Sequence, residues 1–294
     1  HIDKAFTWKV SPNLNGTYKD ALIANLEEHK NRNSLKVRSR AEKSLKLALR
    51  NGLRAVRSHI DSFGPIGEES WCTLSEIRRE WKDLIELQLV ALVPLEYWST
   101  ENGKNLAIKV SKENGLLGGV IVPPYNLNQL RKQLIDFFSL ANHLGCGIDL
   151  HIDETSLCPG RGLSVLLSAL DQNKLHVPIT CSHLSSMGLL SSKVLKTYAE
   201  RLAHHKVNVV ALPLTNFWLL SRNEKETPSR RPLAPIKQLQ HAGVTVAIGC
   251  DNVQDSWYPA GNFDPFALMA SAMSMTHMAP WNRLGLSIYT TASS

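Results

Sequence analysis

The sequence predicts an α/β domain built as a (β/α)₈ TIM-type barrel. Three observations carry that expectation: short apolar runs recur along the chain, a longer helix-compatible span follows each, and metal-competent polar residues stand where several runs end.

Taken in order, the runs are Leu53 to Ile60, Leu84 to Val93, Leu116 to Val122, Gly147 to Ile152, Val177 to Ser182, Val207 to Leu212 and Val244 to Ile248. They are continuous and apolar, not alternating, as strands buried on both faces are. Spans such as Leu127 to Asn142 and Ser191 to His204 are long enough for the helical crossovers that parallel strands need. The stretch after Pro265, with Met269, Met273, Met275 and Met278, is expected to be a helix packed on the barrel. The runs number one fewer than a barrel's strands, so a first strand is expected upstream of His1. The whole span 1–294 reads as one barrel domain, incomplete at its N-terminus and at its C-terminus, with no linker or repeat inside.

The composition, 43% hydrophobic and 20% charged over 294 residues, is that of a soluble globular domain. No apolar run approaches the ~18 residues of a membrane span. The five cysteines form no CxxC pair or disulfide framework, which favours a reducing cytoplasm. The +7 formal charge comes largely from residues 30–57, including Lys30, Arg32, Lys36, Arg38, Arg40, Lys43, Lys46 and Arg50. Without interleaved aromatics for base stacking, that stretch reads as a solvated outer helix face, and no nucleic-acid partner is expected.

In a parallel barrel the active site lies at the carboxyl ends of the strands. The polar residues there are His59 and Asp61, His151 with Glu154, His183, and Asp251 with Asn252, while His1 and Asp3 begin the chain. Imidazole and carboxylate are the ligands of a Zn or Fe ion, and hydrolysis needs in addition a separate acid/base carboxylate. A histidine at one strand end is ordinary; the coincidence at several ends points to a metal-dependent hydrolytic site.

These blocks resemble the cytosine deaminase family of the metal-dependent amidohydrolase superfamily, with its triazine N-dealkylating relatives. The matching pieces are His1-Ile-Asp-Lys-Ala-Phe-Thr7, Arg57-Ser-His-Ile-Asp61, His151-Ile-Asp-Glu154, Ser182-His183, Pro213-Leu-Thr-Asn216, Arg230-Arg231, and the run from Asp251 to Pro259. The resemblance implies a flanking β-sandwich outside this chain, a homo-oligomer, a small-molecule substrate and one divalent metal ion, Zn or Fe. It assigns His1, as the second histidine of an HxH pair, together with His151 and Asp251, to the metal. Glu154 becomes the proton shuttle, His183 the partner of the attacking hydroxide and the developing oxyanion, and Asn252, Trp257 and His59 the substrate contacts. Binuclear relatives carry a modified lysine after the fourth strand, and Val120 to Asn126 contain none, which favours one metal. The unrelated zinc deaminases need a PCxxC that this chain lacks.

Two departures turn the substrate away from cytosine. Where the cytosine enzyme reads the ring with a Gln, Val90 to Glu96 offers Pro94 or Leu95, and where it has a second Asp this chain has Asn252. The expected reaction is hydrolytic removal of an amino or alkylamino group from a cyclic amidine. Alternatives are hydrolysis of a cyclic amide or acyclic amidine, and a catalytically inactive barrel that binds a small ligand.

Overall fold

A computed structural model describes residues 1–223 and 225–278, and in it the runs become one parallel sheet whose strands lie in sequence order. They are β1 (Ala55–Asp61), β2 (Glu86–Pro94), β3 (Leu116–Ile121), β4 (Ile148–Ile152), β5 (Ile179–His183), β6 (Asn208–Ala211) and β7 (Val246–Ile248). Most strands start a residue or two later than the apolar runs. The reason is local: the N–H groups of Leu53, Ile85, Val207 and Val244 close the ends of preceding helices or turns, bonding Ala48, Trp81, Leu202 and Leu239.

Helices α1 (Tyr18–Lys30) and α2 (Ser34–Arg50) precede the sheet. The crossovers carry α3 (Gly64–Glu80), α4 (Glu101–Lys112), α5 (Leu127–Leu144), α6 (Arg161–Gln172), α7 (Ser192–His204), α8 (Pro213–Leu219) and α9 (Ile236–His241). Their starts are chemically marked. The side chains of Thr17, Asn33, Thr100 and Asn126 accept the free N–H groups of α1, α2, α4 and α5. At the other end of α5, Gly145 supplies the left-handed residue (φ 63°) that stops the helix. The core lies between sheet and helices, with Leu89, Leu117 and Ile148 meeting residues such as Trp71, Leu134, Phe137 and Leu166.

The helix expected after Pro265 is α10 (Pro265–Thr276), which buries Leu268 and Ala272 and packs on α8. Among the described residues β1 and β7 do not pair with each other, so they are the two edges of an open barrel wall. Register brings the polar strand ends together, since Val120, His151, Ser182, Val210 and Ala247 face one another in a single row.

The basic stretch behaves in two ways. Lys36, Lys43, Lys46 and Arg50 are exposed on α2, as a solvated face requires. Arg32 is the correction, because its guanidinium is fully buried among the carboxylates of Asp3, Glu28 and Asp61. Arg40 likewise turns inward, to Glu28.

Candidate active site

The ends of β4, β5 and β7 deliver His151, His183 and Asp251 to one point, and the segment before α1 brings His1 to them. The Nε2 of His1 lies 3.2 Å from Nε2 of His151 and 3.4 Å from Oδ1 of Asp251. His151, His183 and Asp251 also offer ligand atoms within 4.8 Å of one another. Tetrahedral ligands about 2.1 Å from an ion stand roughly 3.4 Å apart, so the His1–His151 and His1–Asp251 distances suit a shared divalent metal. Oδ2 of Asp251 and Nε2 of His183 are buried without hydrogen-bond partners, as atoms facing an ion or a substrate would be. Burial and the neighbouring imidazoles hold His151 well below its ordinary pKa, which leaves it neutral, the form that binds metal.

The backbone is bent to achieve this convergence. Asp153, His183 and Asp251 all take positive φ (54°, 73° and 60°), a conformation that costs of order 1–3 kcal/mol each and gathers at functional sites. Asp153 is over-determined by its contacts: its carboxylate accepts the N–H groups of Gly162 and Leu163 at 3.0 Å and the Tyr125 hydroxyl at 2.6 Å. A Cβ on Gly162 would stand 2.4 Å from that carboxylate, so the approach requires glycine there. With Asp153 anchored outward, Glu154 is turned the other way, into the site.

Glu154 is 5% exposed, and burial, reinforced by Asp251, pushes its carboxyl well above the usual range. Its Oε1 accepts the Asn216 amide at 3.4 Å, and the same Nδ2 lies 2.9 Å from Nδ1 of His183. Because the Glu154 partner is an acceptor, the amide N–H₂ belongs on that side, and His183 then accepts at Nδ1 and carries its proton on Nε2.

Above these residues opens a cavity of about 540 Å³, floored by His1, His151, Glu154, His183 and Asp251. Its walls include Leu22, Phe63, Val93 and Val122, with Tyr18 and Trp257 packed edge to face at 5.1 Å. Asn252 also lines it, its amide donating to Asp255 at 2.9 Å, and the indole N–H of Trp257 is buried without a partner. The other expected substrate contact, His59, does not line this cavity. Its ring instead packs 4.5 Å from that of His151 and 5.5 Å from that of His1, with Nε2 3.2 Å from Asp149. Of the two residues offered by the strand after α3, Pro94 reaches the cavity and Leu95 turns into the core.

Sequence reasoning missed Lys4, Tyr18, Asn25 and Glu96, all of which line the cavity. The Lys4 ammonium donates to Asp61 at 2.7 Å, the Asn25 amide to the other oxygen of Asp61 at 3.1 Å, and Arg32 to Asp3 at 2.8 Å. Burial alone would raise the Asp61 carboxyl, but Lys4 and Arg32 outweigh it and hold it well below the usual range. Adjacency to His1 was the available signal for Lys4; nothing local marks Tyr18 or Asn25.

No protein-family model matches the chain. A pterin deaminase of Rhizobium rhizogenes is 32% identical over 280 residues, 95% of this chain and 63% of that protein. An N-isopropylammelide isopropyl amidohydrolase of a Pseudomonas species is 26% identical over 271 residues, 90% of this chain and again 63% of the relative. The chain thus spans somewhat less than two thirds of the length of these relatives. In fold it superimposes on the crystal structure of 5-methylcytosine deaminase from Klebsiella pneumoniae with a TM-score of 0.86 at 24% identity, over 98% of this chain and 71% of that one. The chain is thus similar in sequence to a pterin deaminase and to an N-isopropylammelide amidohydrolase, and it shares the fold of 5-methylcytosine deaminase.

Proposed function

We propose that the protein hydrolyses the exocyclic C–N bond of a cyclic amidine, releasing ammonia or an amine. The observation that carries this reading is the spacing of His1, His151 and Asp251 beside a buried Glu154. The two relatives support an amino- or alkylamino-substituted heterocycle, pterin and triazine among them. His1, His151 and Asp251 would hold one Zn or Fe ion. When bound, such an ion acidifies a water molecule, so that hydroxide is available near neutral pH.

The chain's own residues do the rest. Glu154, at the end of the strand that carries His151, takes the proton from the attacking water and delivers it to the ring nitrogen as the carbon becomes tetrahedral. His183 points Nε2–H at the charge that develops there, its orientation set by Asn216. Trp257 and Asn252 contact the ring. His59, between Asp149 and the metal imidazoles, orients those rings instead of touching substrate.

The test uses the protein as its gene encodes it, assayed for ammonia or amine release on pterin, cytosine, isoguanine, creatinine and amino- or alkylamino-triazines. At least one is turned over, and activity is lost on chelation and regained with metal. Metal-loaded protein inert on all of them would overturn the proposal. Asp251→Ala is expected to purify metal-poor, because a ligand is gone. His183→Asn is expected to keep metal and lower the rate, and a metal-depleted His183→Asn would show that this imidazole is itself a ligand.

A further inference from the structure

The mechanism above leaves one buried charge unused. Lys4 is 3% exposed and lines the cavity, and among the described residues no other lysine or arginine does so. An ammonium has three donors, and among the described residues the one hydrogen bond that the Lys4 ammonium donates is to Asp61. That bond is braced from behind. Asp61 also accepts Asn25 and lies 3.3 Å from Arg32, and Arg32 in turn holds Asp3 and Glu28. Asp3, Glu28 and Asp61 balance Lys4, Arg32 and Arg40 in formal charge. The Lys4 head group is therefore neither free to swing out nor in need of a further anion for neutrality.

Burying a cation is costly unless its remaining donors find an acceptor. Among the described residues the ammonium makes no hydrogen bond to Glu96, Glu154 or Asp251, the other carboxylates that line the cavity. Lys4 nevertheless lines the same cavity as Glu154 and His151, the space a ring would fill.

We propose that Lys4, clamped by Asp61, donates a hydrogen bond to a ring oxo oxygen of the substrate, so that the site selects oxo-substituted cyclic amidines over amidines without that oxygen. This rests on the reading of the site as a heterocycle deaminase's, and it names the substrate feature that Lys4 recognises. The cation would also draw negative charge in the ring toward the oxo oxygen. Lys4 is thus a specificity-determining residue, while the proton chemistry stays with Glu154.

The experiment compares pterin with 2-aminopteridine, which lacks the oxo group, by calorimetric binding to the metal-loaded protein. The parent is expected to prefer pterin roughly 10- to 100-fold, the range of a hydrogen bond to a charged group. Lys4→Met removes the donor, and Lys4→Gln keeps a polar partner for Asp61; both are expected to lose most of the preference at unchanged metal content. A parent that binds the two ligands alike, or variants that keep the parent's preference, would overturn the assignment. Ammonia release is followed in parallel. A parent that prefers pterin in binding but never deaminates it would sink the deaminase reading and leave the Lys4 contact standing.

Discussion

Glu154→Gln is expected to lose turnover by at least the ~10²-fold typical of general acid/base catalysis, while keeping its fold and its metal. The amide matches the carboxyl in size and can still meet Asn216, so packing at the end of β4 has no reason to change. What it cannot do is carry a proton from water to a ring nitrogen. Burial raises the Glu154 carboxyl, which suits a group that takes a proton from water and holds it until the ring nitrogen accepts it. The loss should appear in kcat, with KM little altered, because the interaction is made as the ring carbon becomes tetrahedral. A Glu154→Gln protein with full metal and parental turnover would remove the proton-shuttle assignment.

The largest expected effect on stability belongs to Arg32. Arg32→Met deletes a fully buried guanidinium and leaves Asp3, Glu28 and Asp61 facing one another without it. Breaking a buried ion pair from one side costs about 3–5 kcal/mol, because the partner charges stay desolvated. A thermal scan should therefore show a fall in Tm on the order of 10 °C, whereas Lys46→Met on the exposed face of α2 should sit within about 1 °C of the parent. The same network sets an acid limit. Since folding depresses the Asp61 carboxyl, its contribution is present above the unfolded carboxylate pKa of about 3.9 and is lost as pH falls through the lower folded value. Arg32→Met should blunt that acid sensitivity. An unchanged Tm would mean the charges are solvated and the network is not a support for Lys4.

The contrast between these two sites explains what the sequence made legible. His151, Glu154, His183 and Asp251 could be read in advance because each closes an apolar strand, and a parallel barrel puts all such ends on one face. His59 also closes a strand, but the stagger between neighbouring strands sets it opposite Val90, lower in the wall than His151, so its ring meets Asp149 and not the cavity. Lys4, Asn25 and Arg32 come from the segment before β1 and from the α1–α2 corner. Their partners are set by packing across distance: Arg32 stands 29 residues from both Asp3 and Asp61. Charge counting along the chain saw a basic face, but it had no means of finding three carboxylates folded behind it. Tyr18 is similar, an ordinary first-turn residue of α1 until Trp257 arrives from the other end of the chain.

The central claim, that one divalent ion sits among His1, His151 and Asp251 beside Glu154, is tested most directly by anomalous diffraction at the Zn and Fe edges from metal-replete crystals. A single peak is expected within about 2.3 Å of Nε2 of His1, Nε2 of His151 and a carboxylate oxygen of Asp251. The neighbouring group of His1, His59 and His151 could also hold an ion, and a peak centred there, away from Asp251 and Glu154, would contradict it.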